Sequence, residues 1–243
     1  MRILLITTEE WNDYVYGNNV LTNWFSGFDA EFAQIYCSPG LPNNQVCKNY
    51  FRITDSEMMR SIVTCHKAGK VVYLPNSEKE VANSKQNAQR VGIYARMKNI
   101  SLRYPTVVNM FRDAIWCMGR YDKRSLSDFV EKFNPDIVFC PRYGSPRILR
   151  LERYVHTVCS VPFVAFTADD EASYHRGMSG SWLYRLRRKY CHRALKNTVP
   201  IYSHYYMFSQ DQADEYAAEY GVETSTLYKC GEFSDSFVEK EIS

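Results

Sequence analysis

Short apolar runs of strand length alternate with helix-patterned stretches along most of this chain, and that alternation constrains the fold more than any other feature. The clearest example lies mid-chain. Ser125 to Phe133 carries a capping pair, Ser125 with Asp128, and apolar residues at 126, 129, 130 and 133, one face of a helix. Asn134-Pro135 ends it, and Asp136-Ile-Val-Phe-Cys140 follows as an almost wholly apolar strand of the kind buried on both faces. The spacing then predicts a helix near Pro146 to Cys159, a strand Pro162 to Thr167, a helix 181 to 197 and a strand Ile201 to Phe208. A helix Gln210 to Tyr220, capped by Ser209 with Gln212 and closed by Gly221, leads to a last strand Thr224 to Cys230.

The N-terminal part has the same grammar. Arg2 to Thr7 (RILLIT) is a buried first strand, Thr8 to Asn19 a polar loop, and Val20, Leu21, Trp24, Phe25 and Phe28 recur at helical spacing behind an Asn18 or Asn19 cap. Strands are expected at Ala30 to Cys37 and Tyr50 to Thr54, with a helix from Asp55. Residues 66–124 are mixed, with helices around 78–98 and 105–118, and read as a peripheral helical insertion. The expectation is an α/β chain, a single Rossmann-like domain over 1–243 with a mostly parallel sheet and helices on both faces.

Composition narrows the function classes. With 45% hydrophobic and 23% charged residues the chain is an ordinary globular one, and no apolar run approaches the roughly 18 residues of a membrane-spanning helix. The opening run is too short for a signal peptide, which points to the cytoplasm. The eight cysteines never come closer than ten residues apart, so they read as reduced thiols, and no metal site is expected. A net charge of +3 makes no case for nucleic acid.

In an open parallel sheet, ligands bind beyond the carboxyl ends of the strands. Three segments should reach that edge. Gly17, Asn18 and Asn19 follow the first strand and offer close backbone approach and amide donors, or simply a turn and cap. Arg142, Tyr143 and Gly144 follow the Asp136 strand and combine a cation able to hold an anion with an aromatic face for a sugar; the alternative is a surface ion pair. Asp169 and Asp170 follow the Pro162 strand, where a carboxylate could orient a sugar hydroxyl or act as general base, or cap the next segment. No Gly-x-Gly-x-x-Gly or Walker pattern is present, and no Gly-x-Ser-x-Gly, so dinucleotide, nucleoside-triphosphate and hydrolase readings have little support.

From Ala172 to Val199 there are seven Arg or Lys and no acid. On a helical wheel Leu183, Leu186, Tyr190 and Ala194 form one stripe, expected to pack on the domain. Arg185, Arg188, Lys189 and Lys196 lie opposite, and Arg187 and Arg193 flank the stripe. Such a helix suits an anionic membrane surface or a pyrophosphate, or is a solvated basic face.

The order of these segments resembles the N-terminal half of bacterial GT-B glycosyltransferases, above all those of capsule and exopolysaccharide synthesis. The residues that carry the likeness are Arg112-Asp113-Ala-Ile-Trp116, Ser127 to Phe133, Asn134-Pro135-Asp136-Ile-Val-Phe139, Tyr143-Gly144, Val161-Pro162-Phe163-Val164 and Asp169-Asp170. The resemblance implies an acceptor-binding lobe, with Gly17, Asn18, Asn19, Arg142, Tyr143 and Gly144 touching the acceptor and Asp169 or Asp170 serving catalysis. It also implies that the basic helix rests on the inner leaflet to reach a glycan or lipid-linked acceptor. No cofactor of the chain's own is implied, and a nucleotide-sugar donor is expected only with a second domain or partner transferase. A non-catalytic subunit that docks such a partner is the other expectation.

Overall fold

The computed structural model describes residues 1–14, 20–73, 104–141, 145–167 and 181–227. Its centre is β1 (Arg2–Thr7), the RILLIT run, which lies parallel between β2 (Glu31–Tyr36) and β5 (Ile137–Pro141). Strand side chains alternate, so Leu4 and Ile6 enter one core and Ile3 and Leu5 the other. A strand apolar on both faces has no stable place at a surface, and this composition puts β1 in the middle of the sheet.

The remaining strands are β3 (Asn49–Arg52), β4 (Lys70–Val72), β6 (Phe163–Phe166), β7 (Tyr202–Met207) and β8 (Thr224–Thr226). The eight form one sheet in the order β4-β3-β2-β1-β5-β6-β7-β8, parallel throughout except for β4. From β1 the chain winds outward through β2 and β3. It then crosses back to β5 and winds outward the other way.

One face carries α2 (Asp55–Val63), α3 (Pro105–Met118), α4 (Lys123–Phe133), α5 (Pro146–Val158), α6 (Trp182–Lys196) and α7 (Gln210–Tyr220), which close a core around Leu4, Ile35, Phe51, Trp116, Leu126, Leu149 and Tyr205. The other face is closed, among the described residues, by the short helix α1 (Val20–Phe25) and the 38–48 loop over an aromatic cluster. There Trp11 meets Phe32 edge-on at 5.8 Å and Phe25 meets Phe139 at 5.4 Å, the ring geometry that the π quadrupole favours.

Three expectations need correction. Part of the stretch expected to be a peripheral insertion is integral to the domain: α3 buries Ile115 and Trp116, and β4, missed in the sequence, is the antiparallel edge strand. Gly119 lets α3 end against α2, because a Cβ there would stand 2.8 Å from the carbonyl oxygens of both Ile115 and Met58. Secondly, the helix starting near Ser125 is capped by Asp122, whose side chain accepts the Ser125 backbone N–H. The Ser125 hydroxyl donates to the same carboxylate, which is therefore held below the usual carboxylate range. Thirdly, α1 ends at Phe25 and leaves Phe28 exposed. Gly221 closes α7 as expected, in the left-handed region with φ 66°.

The Asp122 cap carries a pH signature. A carboxylate with a lowered folded pKa contributes stability above its unfolded pKa and loses it as pH falls through the folded value. Asp122→Ala is expected to cost about 1 kcal/mol at pH 7 and progressively less below about pH 4, read by denaturant unfolding at several pH values.

Candidate functional site

Because the order of winding reverses between the parallel neighbours β1 and β5, the connections leaving their carboxyl ends part to opposite faces and open a crevice there. The loop after β1, the start of α5 after β5 and the start of α2 after β3 converge on this edge.

The described part of the β1 loop is held from beneath by Gln34, which is fully buried on β2. Its amide donates to Thr7 Oγ1 at 2.8 Å and to the Glu9 carbonyl at 3.0 Å, while its oxygen accepts the Trp11 backbone N–H at 2.9 Å. A polar side chain on an interior strand is tolerated because each of these bonds is made. Trp11 then anchors the loop on the aromatic face, with its indole N–H donating to Thr22 on α1 at 2.8 Å. Asn43 and Asn44 of the neighbouring loop complete the brace: the Asn43 backbone N–H and the Asn44 amide both donate to the Trp11 carbonyl, at 3.0 and 2.8 Å.

This bracing leaves Glu9 exposed at the edge, while Glu10 is buried and accepts the Ser38 hydroxyl. The Glu9 carboxyl is pushed above the ordinary carboxylate range, mainly by loss of solvent and then by the neighbouring Glu10, with Arg147 opposing. Arg147, in the first turn of α5, is near enough to act on it electrostatically. A raised carboxylate beside a cation in a cleft is the electrostatic pattern of a binding or proton-transfer site.

The raised pKa has a defined sign. Folded chain holds its Glu9 proton to higher pH than unfolded chain, so this group's share of stability is full below the ordinary range near pH 4 and is lost as pH rises through the raised value. Glu9→Gln is expected to unfold at an equal or higher temperature than the parent at pH 7, with the difference shrinking towards pH 4. Thermal unfolding across that window reads it.

Behind the crevice, Asp55 at the start of α2 ties three helices together. It accepts from Arg112 Nε at 2.8 Å and from the Trp116 indole at 2.7 Å, and pairs with Arg147 at 3.8 Å. The next acid, Asp113, holds Arg187 of α6 at 3.1 Å. The Arg112-Asp113-Ala-Ile-Trp116 run is thus a clasp joining α2, α3, α5 and α6.

Of the residues expected from sequence, Gly17, Asn18, Asn19, Arg142, Tyr143, Gly144, Asp169 and Asp170 lie outside the described residues. The strands they follow, β1, β5 and β6, do end at the same edge of the sheet. On α6, Arg185, Lys189, Arg193 and Lys196 are exposed, Arg188 is half-buried, and Arg187 turns inward to Asp113. The apolar stripe differs from expectation. Ala194 is buried and Leu183 half-buried, but Leu186 is 51% and Tyr190 42% exposed, joined by Trp182 at 66%. Glu9, Glu10, Asp55 and Arg147 were not singled out in the sequence. Position immediately after a strand was the available signal for Glu9 and Glu10, and a first-turn arginine that for Arg147.

Strand order and crevice together define a doubly wound α/β unit with its crevice at the β1–β5 reversal. No family model and no curated protein matches the chain. Among solved structures, that of Glycyrrhiza uralensis UGT73P12 complexed with glycyrrhetinic acid 3-O-monoglucuronide, a plant glycosyltransferase, is similar over 93% of this chain and 48% of that one, with a TM-score of 0.39 and 6% identity. The chain spans about half the length of that protein.

Proposed function

We propose that this chain is the acceptor-holding lobe of a two-lobed glycosyltransferase, one that transfers a sugar from a nucleotide donor to a lipid-linked glycan in capsule or exopolysaccharide assembly. The observation that carries the reading is the reversal of winding between β1 and β5. It opens a crevice at the carboxyl edge of the strands, where the described residues include Glu9 and Arg147; Gly17 to Asn19, Arg142 to Gly144 and Asp169 to Asp170 follow strands that end at this edge. In this reading the edge binds the glycan, aromatic and amide groups contact the sugar, and a carboxylate there takes the proton of the attacking hydroxyl. The donor is held by a second lobe.

Calorimetric titration of the chain tests this. With pyrophosphate present in excess, a polyprenyl-diphosphate oligosaccharide is expected to bind saturably and a panel of nucleotide sugars to give no heat until a donor-binding lobe is added. Saturable binding of a nucleotide sugar to the chain alone under that condition overturns the proposal.

Peripheral membrane contact belongs to the same proposal and is supported by α6. Trp182, Tyr184 and Leu186 are exposed beside Arg185, Arg188 and Lys189, the mixture of aromatic, aliphatic and basic groups that suits an interfacial helix. Near an anionic leaflet each cation contributes about 1 kcal/mol, a ceiling of about 3 kcal/mol for three. Replacing Arg185, Arg188 and Lys189 together by Gln is expected to weaken binding to phosphatidylglycerol vesicles by at least about tenfold. Unchanged sedimentation with vesicles removes this part of the proposal.

A further inference from the structure

A cleft of about 310 Å³ opens between α3, α5 and α6, and its charge is one-sided. Among the described residues, Arg147, Arg150 and Arg153 of α5 and Arg193 of α6 line it, against a single carboxylate, Asp113. The three arginines of α5 recur every third residue and so share one side of that helix. Asp113 is already committed to Arg187 at 3.1 Å, which leaves the four cleft arginines without a carboxylate of their own inside it.

The most telling group is Arg147. Its side chain is 10% exposed, its pairing with Asp55 stands at 3.8 Å, beyond hydrogen-bond reach, and its buried Nε has no partner. Both Asp55 oxygens are engaged at shorter range by Arg112 and Trp116. A guanidinium removed from water without a matched acceptor is costly, and an anion entering from the cleft offsets that cost. Arg150 and Arg153 each use a terminal nitrogen on protein oxygens: Arg150 on the Trp116 carbonyl, Arg153 on the Ala194 carbonyl and Thr198 hydroxyl. A guanidinium has five N–H donors, so donors remain on both, held in position by those contacts. Trp116, Tyr190 and Pro146 form the apolar part of the wall.

We infer that this cleft is a binding site for a phosphate or diphosphate group, adjoining the acceptor crevice at Arg147 and requiring no glycosyl transfer. Fork-shaped donors arranged around one space match a tetrahedral oxyanion of more than one negative charge better than they match a single carboxylate. The volume accommodates such a group with a small apolar or planar extension. A soluble phosphate ester and a phospholipid headgroup supply the same chemistry.

Inorganic pyrophosphate titrated into the full chain at constant ionic strength, followed by calorimetry and thermal unfolding, is the test. Saturable binding with a rise in unfolding temperature is expected, tighter than for sulfate, and at least about tenfold weaker in Arg193→Gln. Arg193 is exposed and makes no side-chain ion pair among the described residues, so this variant keeps the fold; Arg147→Gln should show the same loss. Equal affinity for pyrophosphate in parent and both variants, or no preference over sulfate, overturns the inference. If Arg193→Gln also weakens phosphatidylglycerol vesicle binding, and pyrophosphate displaces the chain from vesicles, the headgroup is the source. If vesicle binding is unaffected, a soluble phosphate ester is. Arg193 is not among the crevice residues, so Arg193→Gln separates the two readings: loss of pyrophosphate binding with glycan binding retained belongs to this site, and loss of glycan binding alone to the crevice.

Discussion

Trp116→Ala is expected to destabilise the chain by about 3–5 kcal/mol, the range for removing a large aromatic side chain from a close-packed core. Trp116 is 2% exposed, sits among α2, α3 and α5, and its indole N–H is one of two short donors to Asp55. Its loss removes buried surface, leaves a void and takes a hydrogen bond from a carboxylate that also anchors Arg112. Trp116→Phe separates these contributions. It should restore most of the packing but not the bond to Asp55, and so recover more than half of the loss. Equilibrium urea unfolding of the three chains gives both numbers. A cost below about 1 kcal/mol for the alanine variant would mean that α3 is the peripheral element expected from the sequence after all.

Gln34→Leu should have the second-largest effect, and it bears directly on the ligand edge. The replacement strands the Trp11 N–H and takes one donor each from the Glu9 carbonyl and the Thr7 hydroxyl, which keep their 2.6 Å bond to each other. At about 1–3 kcal/mol for a buried group left unsatisfied, a loss of about 2 kcal/mol is expected, partly relieved where the loop opens to water. The loss should concentrate in the β1 loop. Amide exchange is expected to quicken at residues 8–14 while β5 and β6 keep their protection, and acceptor affinity should fall with the ordering of the loop. Gln34→Glu serves as a control of shape, because it keeps the acceptor for Trp11 but removes the donors to Thr7 and Glu9.

The fold was largely legible in the sequence because its strands are of two recognisable kinds. RILLIT and Ile137-Val-Phe-Cys-Pro141 are apolar on both faces, and a run of that sort can only be a central strand. The Asn134-Pro135 break and Gly221 after α7 marked boundaries by local backbone chemistry, whereas Ser209 stands at the start of α7 but its side chain does not make the capping bond expected with Gln212. What the sequence hid depends on tertiary pairing. Lys70-Val-Val72 is too short to show alternation and becomes a strand only because β3 offers an open edge. Leu186 and Tyr190 fit a helical stripe, but periodicity gives a direction without saying whether anything lies there. Gln34 shows the limit most clearly. A glutamine on an apolar strand reads as a blemish until its three partners, brought from the next strand and loop, are seen around it.

The candidate site was legible by position more than by chemistry. Strand ends pointed to one edge of the sheet, since a parallel sheet sends all its following loops one way. The charges that meet there, Glu9, Arg147 and Asp55, lie 138 residues apart at their extremes, as the difference of 147 and 9 shows. No local motif could pair them. Their meeting is a product of the reversal between β1 and β5, the same feature on which the functional proposal rests.

Hydrogen-exchange mass spectrometry of the full chain, with and without a saturating polyprenyl-diphosphate oligosaccharide, tests the central claim most directly. The account predicts slowed exchange at residues 8–14 and 145–151, on either side of the β1–β5 crevice, with the α7 and β8 region unchanged. Protection confined to the outer strands, or at residues 8–14 on adding a nucleotide sugar alone, would contradict it.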